Sequence, residues 1–301
     1  MTLAPIALFV YNRPGHTRQT VDALLANTAA NQTPLHVFSD APKSEAASSA
    51  VAEVRTYIRS IAGFKSVTIV ERERNFGLAC SIIDGVTSLC EKYGRVIVME
   101  DDLVTSPYFL QFMNEGLDLY ERDERVISIH GYVYPVMEAL PETFFLRGAD
   151  CWGWATWKRG WDLFEPDGQL LLRELNAHNL THRFDFDGAH PYVRMLKNQI
   201  KGKNSSWAIR WHASAFLKNK LTLYPGRSLV CNIGTDNSGA HCSTTTVFAS
   251  EMADLPIAIE PISVEENEFA RQQIITFHKG ARRLTPGRVL RKLADMVQRA
   301  R

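Results

Sequence analysis

Short apolar runs separated by amphipathic stretches set the rhythm of the first 120 residues. Ile6 to Tyr11, Leu35 to Ser39, Val67 to Val70 and Val96 to Met99 are near-continuous apolar segments, the pattern of strands buried on both faces. Between them, apolar residues recur every three or four positions, which predicts helices over Pro14 to Asn27, Glu45 to Ile61, Leu78 to Tyr93 and Pro107 to Tyr120. Ser106 and Pro107 supply an N-cap and a first helical position for the last of these. Strand and helix in strict alternation imply right-handed crossovers, hence an α/β fold with a mostly parallel sheet flanked by helices.

From about Tyr132 the rhythm changes to Trp, Gly and His at irregular spacing, with no further strand and helix alternation. This divides the chain at 1-130 and 131-250, followed by a helical extension over 251-301. Four of the six tryptophans lie in Trp152 to Trp161. Trp154, Trp157 and Trp161 fall at helical core spacing, which reads as packing, while Trp152 beside Gly153 is the better platform for stacking on a sugar; Trp154 is kept with it as an acceptor-side candidate. Residues 165 to 190, polar and holding His178, His182 and His190, read as a loop or lid. Gly234 to His241 is a second loop dense in Gly and polar residues, from which His241 is placed to complete a metal shell.

Composition narrows the class. With 301 residues and 45% hydrophobic content the chain can bury a full core. No window reaches the 18 apolar residues of a membrane span, and the N-terminus lacks the basic start of a secretion signal, so a cytoplasmic protein beginning at Met1 is expected. Five cysteines without a C-x-x-C pair argue against a disulfide framework and a thiolate zinc site. The net charge of +1 hides an uneven distribution: residues 279 to 301 hold eight Lys and Arg against Asp295 alone, a net +7, leaving −6 for the rest. Thr285 and Pro286 open a basic amphipathic helix there. It either lies on an anionic membrane surface, at the inner face of the plasma membrane, or packs on its own domain with its charges solvated. No nucleic-acid partner is expected.

The most informative junction is the abrupt end of the run Val96 to Met99 at Glu100, Asp101 and Asp102. Three adjacent carboxylates repel one another and lose hydration unless a positive charge sits among them, and a hard divalent cation bound through oxygen is the usual solution. Successive residues of an extended segment point opposite ways, so all three cannot face one ion. Ligands of parallel sheets sit at the carboxyl ends of the strands. Asn12 and Arg13, Asp40, and Arg74 and Asn75 occupy the other strand ends, so four connections deliver polar groups to one rim. The turn Asn12-Arg13-Pro14-Gly15 is not G-x-G-x-x-G, which disfavours a dinucleotide of the NAD type.

Taken together, Tyr11-Asn12-Arg13-Pro14, Phe38-Ser39-Asp40, Asn75-Phe76-Gly77-Leu78, Glu100-Asp101-Asp102, Trp152-Gly153-Trp154 and Gly234 to His241 resemble bacterial GT-A fold sugar transferases of the family-2-like group, and the N-acetylglucosaminyltransferase I family with its E-D-D motif. The resemblance spans residues 4 to 245 and implies a GT-A, Rossmann-like fold whose first half binds a nucleotide sugar and whose second binds the acceptor. It implies that Asp102 binds Mn2+ or Mg2+ directly, that Glu100 and Asp101 hold the ribose and metal-bound water, that Arg13 lies near the donor nucleotide, that Asp40 accepts the uracil ring N–H, and that Asn75 contacts the other side of the base. Asp40 also reads as a plain turn residue in Ser39-Asp40-Ala41-Pro42.

The chain departs from the family at the catalytic base. The related enzymes place Asp just before a Trp on an acceptor-side segment, and here that segment reads Asn204-Ser205-Ser206-Trp207. Asp150, just ahead of Trp152, and Asp236 are the remaining candidates, with Asp150 preferred. The expected function is a metal-dependent, inverting glycosyltransferase that moves a sugar from a nucleotide-diphosphate donor, a UDP sugar such as UDP-GlcNAc, to a glycan or lipid-linked saccharide, as in polysaccharide biosynthesis. A silent nucleotide- or glycan-binding protein and a sugar nucleotidyltransferase are the competing readings.

Overall fold

A computed structural model of the chain describes residues 3–234 and 247–283. In chain order the first part runs β1 (Ile6–Val10), α1 (Pro14–Leu25), β2 (Pro34–Ser39), α2 (Glu45–Ile58), β3 (Ser66–Glu71), α3 (Gly77–Tyr93), β4 (Arg95–Glu100), β5 (Leu103–Thr105) and α4 (Phe109–Leu119). The second runs β6 (Val126–His130), β7 (Thr143–Arg147), β8 (Trp154–Trp157), α5 (Lys158–Trp161), α6 (Gly168–Ala177), α7 (Thr181–Phe184), α8 (Tyr192–Ile200), α9 (Ala208–Leu217), β9 (Leu221–Pro225), β10 (Val230–Asn232) and α10 (Glu268–Arg283).

Every residue of β1 and β2 is buried, as the apolar runs demand, whereas β3 is half exposed because it forms the sheet edge. The eight-stranded sheet has the order β3-β2-β1-β4-β8-β6-β9-β7. Strands β3, β2, β1 and β4 are parallel neighbours, β8 runs antiparallel to both β4 and β6, β6 and β9 are parallel, and β7 closes the far edge antiparallel to β9. The carboxyl ends of β2, β1 and β4 therefore lie side by side, Phe9 opposite Glu100 and Val10 opposite Ser39. A short antiparallel pair, β5 with β10, crosses the rim in the register Leu103 to Asn232.

Close packing under the rim depends on a missing side chain. A Cβ on Gly85 of α3 would stand 2.7 Å from the Phe9 ring. Without it α3 settles onto Phe9 and Phe38, whose rings stack 5.0 Å apart.

Three expectations change. The second half does contain strands: β7, β8 and β9 extend the same sheet across both halves. Residues 165 to 190 are not a loop or lid, because α6 and α7 bury Leu171, Leu175 and Phe184 against Leu196, Ile209 and Phe216. The α4 helix starts at Phe109 rather than Pro107. The Ser106 hydroxyl accepts from Tyr108 N–H at 3.4 Å, as an N-cap would, and at the same time donates to the carbonyl of Ala253 at 2.7 Å, so it also holds a distant segment. No helix among the described residues is long and apolar enough to cross a membrane. The basic tail from 284 onward, like Asp236 and His241, lies outside the described residues.

Candidate functional site

Adjacent parallel strand ends bring residues far apart in sequence to one cavity of about 490 Å³. Arg13 follows β1, Asp40 follows β2, Asn75 follows β3, and Glu100, Asp101 and Asp102 end β4; all six line it. Its floor is the Phe9 and Phe38 pair, and Tyr11, Lys43, Leu78, Ser81 and Ser205 complete the wall. Sequence reasoning did not single out these wall residues as a group, since nothing in their spacing marks a shared cavity.

The acidic turn is crowded and nearly dry. Asp101 is 4% exposed and Asp102 8%. The Arg13 guanidinium donates through Nη2 to Asp101 Oδ1 and lies, through Nη1, 3.0 Å from Asp102 Oδ2. The Tyr11 N–H approaches Asp101 Oδ2 at 3.4 Å, and Thr20 Oγ1 donates to the Asp101 carbonyl at 2.9 Å, tying α1 to the turn. One guanidinium among three carboxylates leaves two negative charges uncompensated if all ionise. Burial, and then the charges of Asp102 and Asp101, push the Glu100 carboxyl up to about 8, with Arg13 opposing. Burial also raises Asp101, against the pull of Arg13.

Glycine closes the site from the other half. Ile233 N–H donates to the Asp102 carbonyl at 2.9 Å, and a Cβ on Gly234 would lie 2.2 Å from Asp102 Oδ2. Only the hydrogen of glycine fits there.

Among the described residues no three His, Cys, Asp or Glu side chains converge as a metal-binding set. The donors on hand are the Asp102 and Asp101 carboxylates. That fits a hard divalent ion completing its shell with phosphate oxygens and water, as such ions do when one or two carboxylates hold them beside a nucleotide. The uncompensated charge of the turn fits the same ion.

Asp40 lines the cavity and spends its carboxylate within the protein. Oδ1 accepts from the N–H groups of Ala41 at 2.9 Å and Phe76 at 2.8 Å, and Oδ2 from Gly77 N–H at 2.8 Å and Asn75 Nδ2 at 3.1 Å. Its acceptor positions are filled, and it caps the start of α3 from across the sheet. Asn75 Nδ2 also donates to the Ala41 carbonyl at 2.6 Å. With two oxygen acceptors on its amide nitrogen, the Asn75 orientation is fixed, and the residue lines the cavity.

Asp150 sits in the second half, its side chain 24% exposed. Oδ1 accepts from Cys151 N–H at 2.8 Å and Oδ2 from the Tyr134 hydroxyl at 3.3 Å. The half-buried Cys151 thiol is raised well above its ordinary value by desolvation, then by the charges of Asp150, Glu100 and Asp102. None of Asp150, Cys151 and Trp152 lines the cavity that holds the acidic turn. Trp152 is half-buried, edge-on to Tyr132 at 4.7 Å and to Phe248 at 6.0 Å. Trp154, by contrast, has no face for a sugar: it is fully buried on β8, its ring 5.5 Å from Trp207 and from Trp211. The acceptor-side candidacy of Trp154 is corrected accordingly, while its packing role stands.

Behind Asp150, His130 is fully buried, with neither ring nitrogen hydrogen-bonded among the described residues and Nε2 3.9 Å from Asp150 Oδ2. Burial pushes it down to about 4, with Asp150 opposing. Because the unfolded chain takes up that proton first, the contribution of neutral His130 is complete above about pH 6.5 and is lost as pH falls toward 4, a change of roughly 3 kcal/mol. Urea unfolding between pH 7 and 4.5 is therefore expected to show a flatter pH dependence in His130→Phe than in the wild type; identical slopes would exclude this assignment.

Residues 1–135 match the model of the GNT-I family. No curated protein matches the chain in sequence. The structure is similar to the mannosyltransferase PcManGT of Pyrobaculum calidifontis in complex with GDP-Man and Mn2+, at 14% identity and a TM-score of 0.34, over 44% of this chain and 35% of that one. It is also similar to residues 1-349 of S. aureus TarS in complex with UDP-GlcNAc, at 11% identity and a TM-score of 0.33, over 47% of this chain and 39% of that one. The chain thus spans well under half the length of either.

Proposed function

We propose that this chain, similar to the GNT-I family over residues 1–135, is a GT-A glycosyltransferase that transfers a sugar, with inversion, from a nucleotide-diphosphate donor, a UDP sugar, to a glycan or lipid-linked saccharide. The observation that carries this reading is a cavity at the ends of β1, β2, β3 and β4 with carboxylates, Arg13 and Asn75 on its wall. Asp102, assisted by Asp101, is the holder of Mn2+ or Mg2+, which when bound supplies positive charge to the departing diphosphate. Arg13 offers that diphosphate paired N–H donors. Asn75 Oδ1 receives the ring N–H of the base, and Asp40 holds the loop that presents it.

On the acceptor side Asp150 takes the proton of the attacking hydroxyl onto a carboxylate oxygen, its position set by Tyr134 and Cys151 N–H. Trp152 offers the acceptor sugar a partly open indole face. The net +7 of residues 279 to 301 supports a peripheral seat on an anionic membrane, on the cytoplasmic side. The test is a thermal-shift screen of nucleotide sugars with and without Mn2+, followed by a transfer assay on acceptor saccharides. A UDP sugar is expected to raise the melting temperature in an ion-dependent way, because it binds the folded state alone. Stabilisation by no nucleotide sugar, or binding with neither transfer nor hydrolysis, would defeat the proposal.

A further inference from the structure

Arg13 stands where a bound cation would have to stand. Its Nη2 serves Asp101 and its Nη1 lies 3.0 Å from Asp102 Oδ2, so one guanidinium spans both of the carboxylates available to an ion. The two grips differ. The Asp101 contact is a directed hydrogen bond, whereas Nη1 is buried and makes no directed hydrogen bond, touching Asp102 as a charge. The backbone cannot follow a movement: the Arg13 carbonyl accepts from Thr17 N–H and Thr17 Oγ1, both at 2.9 Å, Pro14 restricts the next φ, and Thr20 fastens α1 to the acidic turn. Only the side chain is free to exchange partners. Lys43, the other cation on the wall, is exposed and forms no ion pair among the described residues.

We propose that Arg13 is an exchangeable counter-ion that links cation binding to donor binding. Alone, it neutralises part of the acidic turn and obstructs the Asp102 oxygen that a divalent ion needs, since a guanidinium and a dication repel one another at that distance. A nucleoside diphosphate resolves the conflict, because its phosphates give the displaced guanidinium new acceptors and add negative charge beside the ion. Ion and nucleotide then bind together, each weakly without the other. This inference rests on the donor-site reading of the cavity.

The test measures Mn2+ affinity by electron paramagnetic resonance, with and without UDP, in the wild type, Arg13→Gln and Arg13→Lys, each confirmed as folded by circular dichroism. Without nucleotide, Arg13→Gln is expected to bind Mn2+ about tenfold more tightly than the wild type, while Arg13→Lys, which keeps the charge, stays near the wild type. UDP is expected to raise Mn2+ affinity far more in the wild type than in Arg13→Gln. Unchanged or weaker Mn2+ binding in Arg13→Gln, or an equal gain in Arg13→Lys, overturns the exchange while wild-type binding of UDP with Mn2+ leaves the donor site standing. A wild type that binds neither UDP nor Mn2+, singly or together, overturns both.

Discussion

Replacing Asp102 with Asn is expected to lower the transfer rate by about 10³-fold or more, because a divalent ion ~4 Å from a unit charge at an effective dielectric of ~20 gains roughly 8 kcal/mol before desolvation, and half of that already corresponds to three decades. Asn keeps the shape, and the Asp102 backbone contact to Ile233 N–H survives. Removing one of three crowded carboxylates also relieves Glu100, whose carboxyl is raised by that neighbour. Thermal unfolding should therefore change little while Mn2+ binding disappears. Steady-state transfer with titrated Mn2+ measures the first effect and calorimetry the second; full activity in the variant with a chelator present would remove Asp102 from the reaction.

The largest effect on stability is expected from Trp154→Ala, at roughly 4 kcal/mol. Trp154 is fully buried, stacks with Trp207, meets the tilted rings of Trp211 and Trp161, and lies on β8 opposite Val98 on one side and His130 on the other. Its indole N–H has no hydrogen-bond partner among the described residues, so truncation removes packing. Trp152→Ala makes the contrast: only half-buried, it should cost less stability than Trp154→Ala and raise the KM for the acceptor. Urea unfolding with acceptor kinetics on both variants separates the two residues. A stable Trp154→Ala enzyme with a raised acceptor KM would reverse their assignment.

The first half of the fold was legible because its strands are continuous apolar runs and its helices carry a clean three-and-four period. The second half was not, because β8 is inserted between β4 and β6, and β9 between β6 and β7, so neighbours in space are not neighbours in the chain. Trp154, Trp157 and Trp161 imitate helical spacing, although the first two lie on a strand and the third ends a four-residue helix. Leu171 and Leu175 did carry a helical period inside the segment read as a loop, outweighed there by its polar and His-rich composition.

The rim of the site was readable for a physical reason: parallel strands end on one side, so polar residues just past each apolar run must gather. What could not be read was how those residues spend their hydrogen bonds. The pairing of Arg13 with Asp101 spans 88 positions, the donation of Phe76 N–H to Asp40 spans 36, and the Tyr134 contact to Asp150 joins two segments that follow no period. Asp40 shows the consequence, since an acid at the right rim position already accepts from three backbone N–H groups and the Asn75 amide.

The antiparallel seam through β8 sets a limit on motion. Residues Arg95 to Val98 and Ser128 to His130 are laddered to the same four-residue strand, so a hinge between the halves would have to tear main-chain bonds in the middle of the molecule. Substrates must come and go by breathing of the surface connections and by swings of single side chains. Clamshell closure, the device of proteins whose lobes are separately folded, is denied to this one.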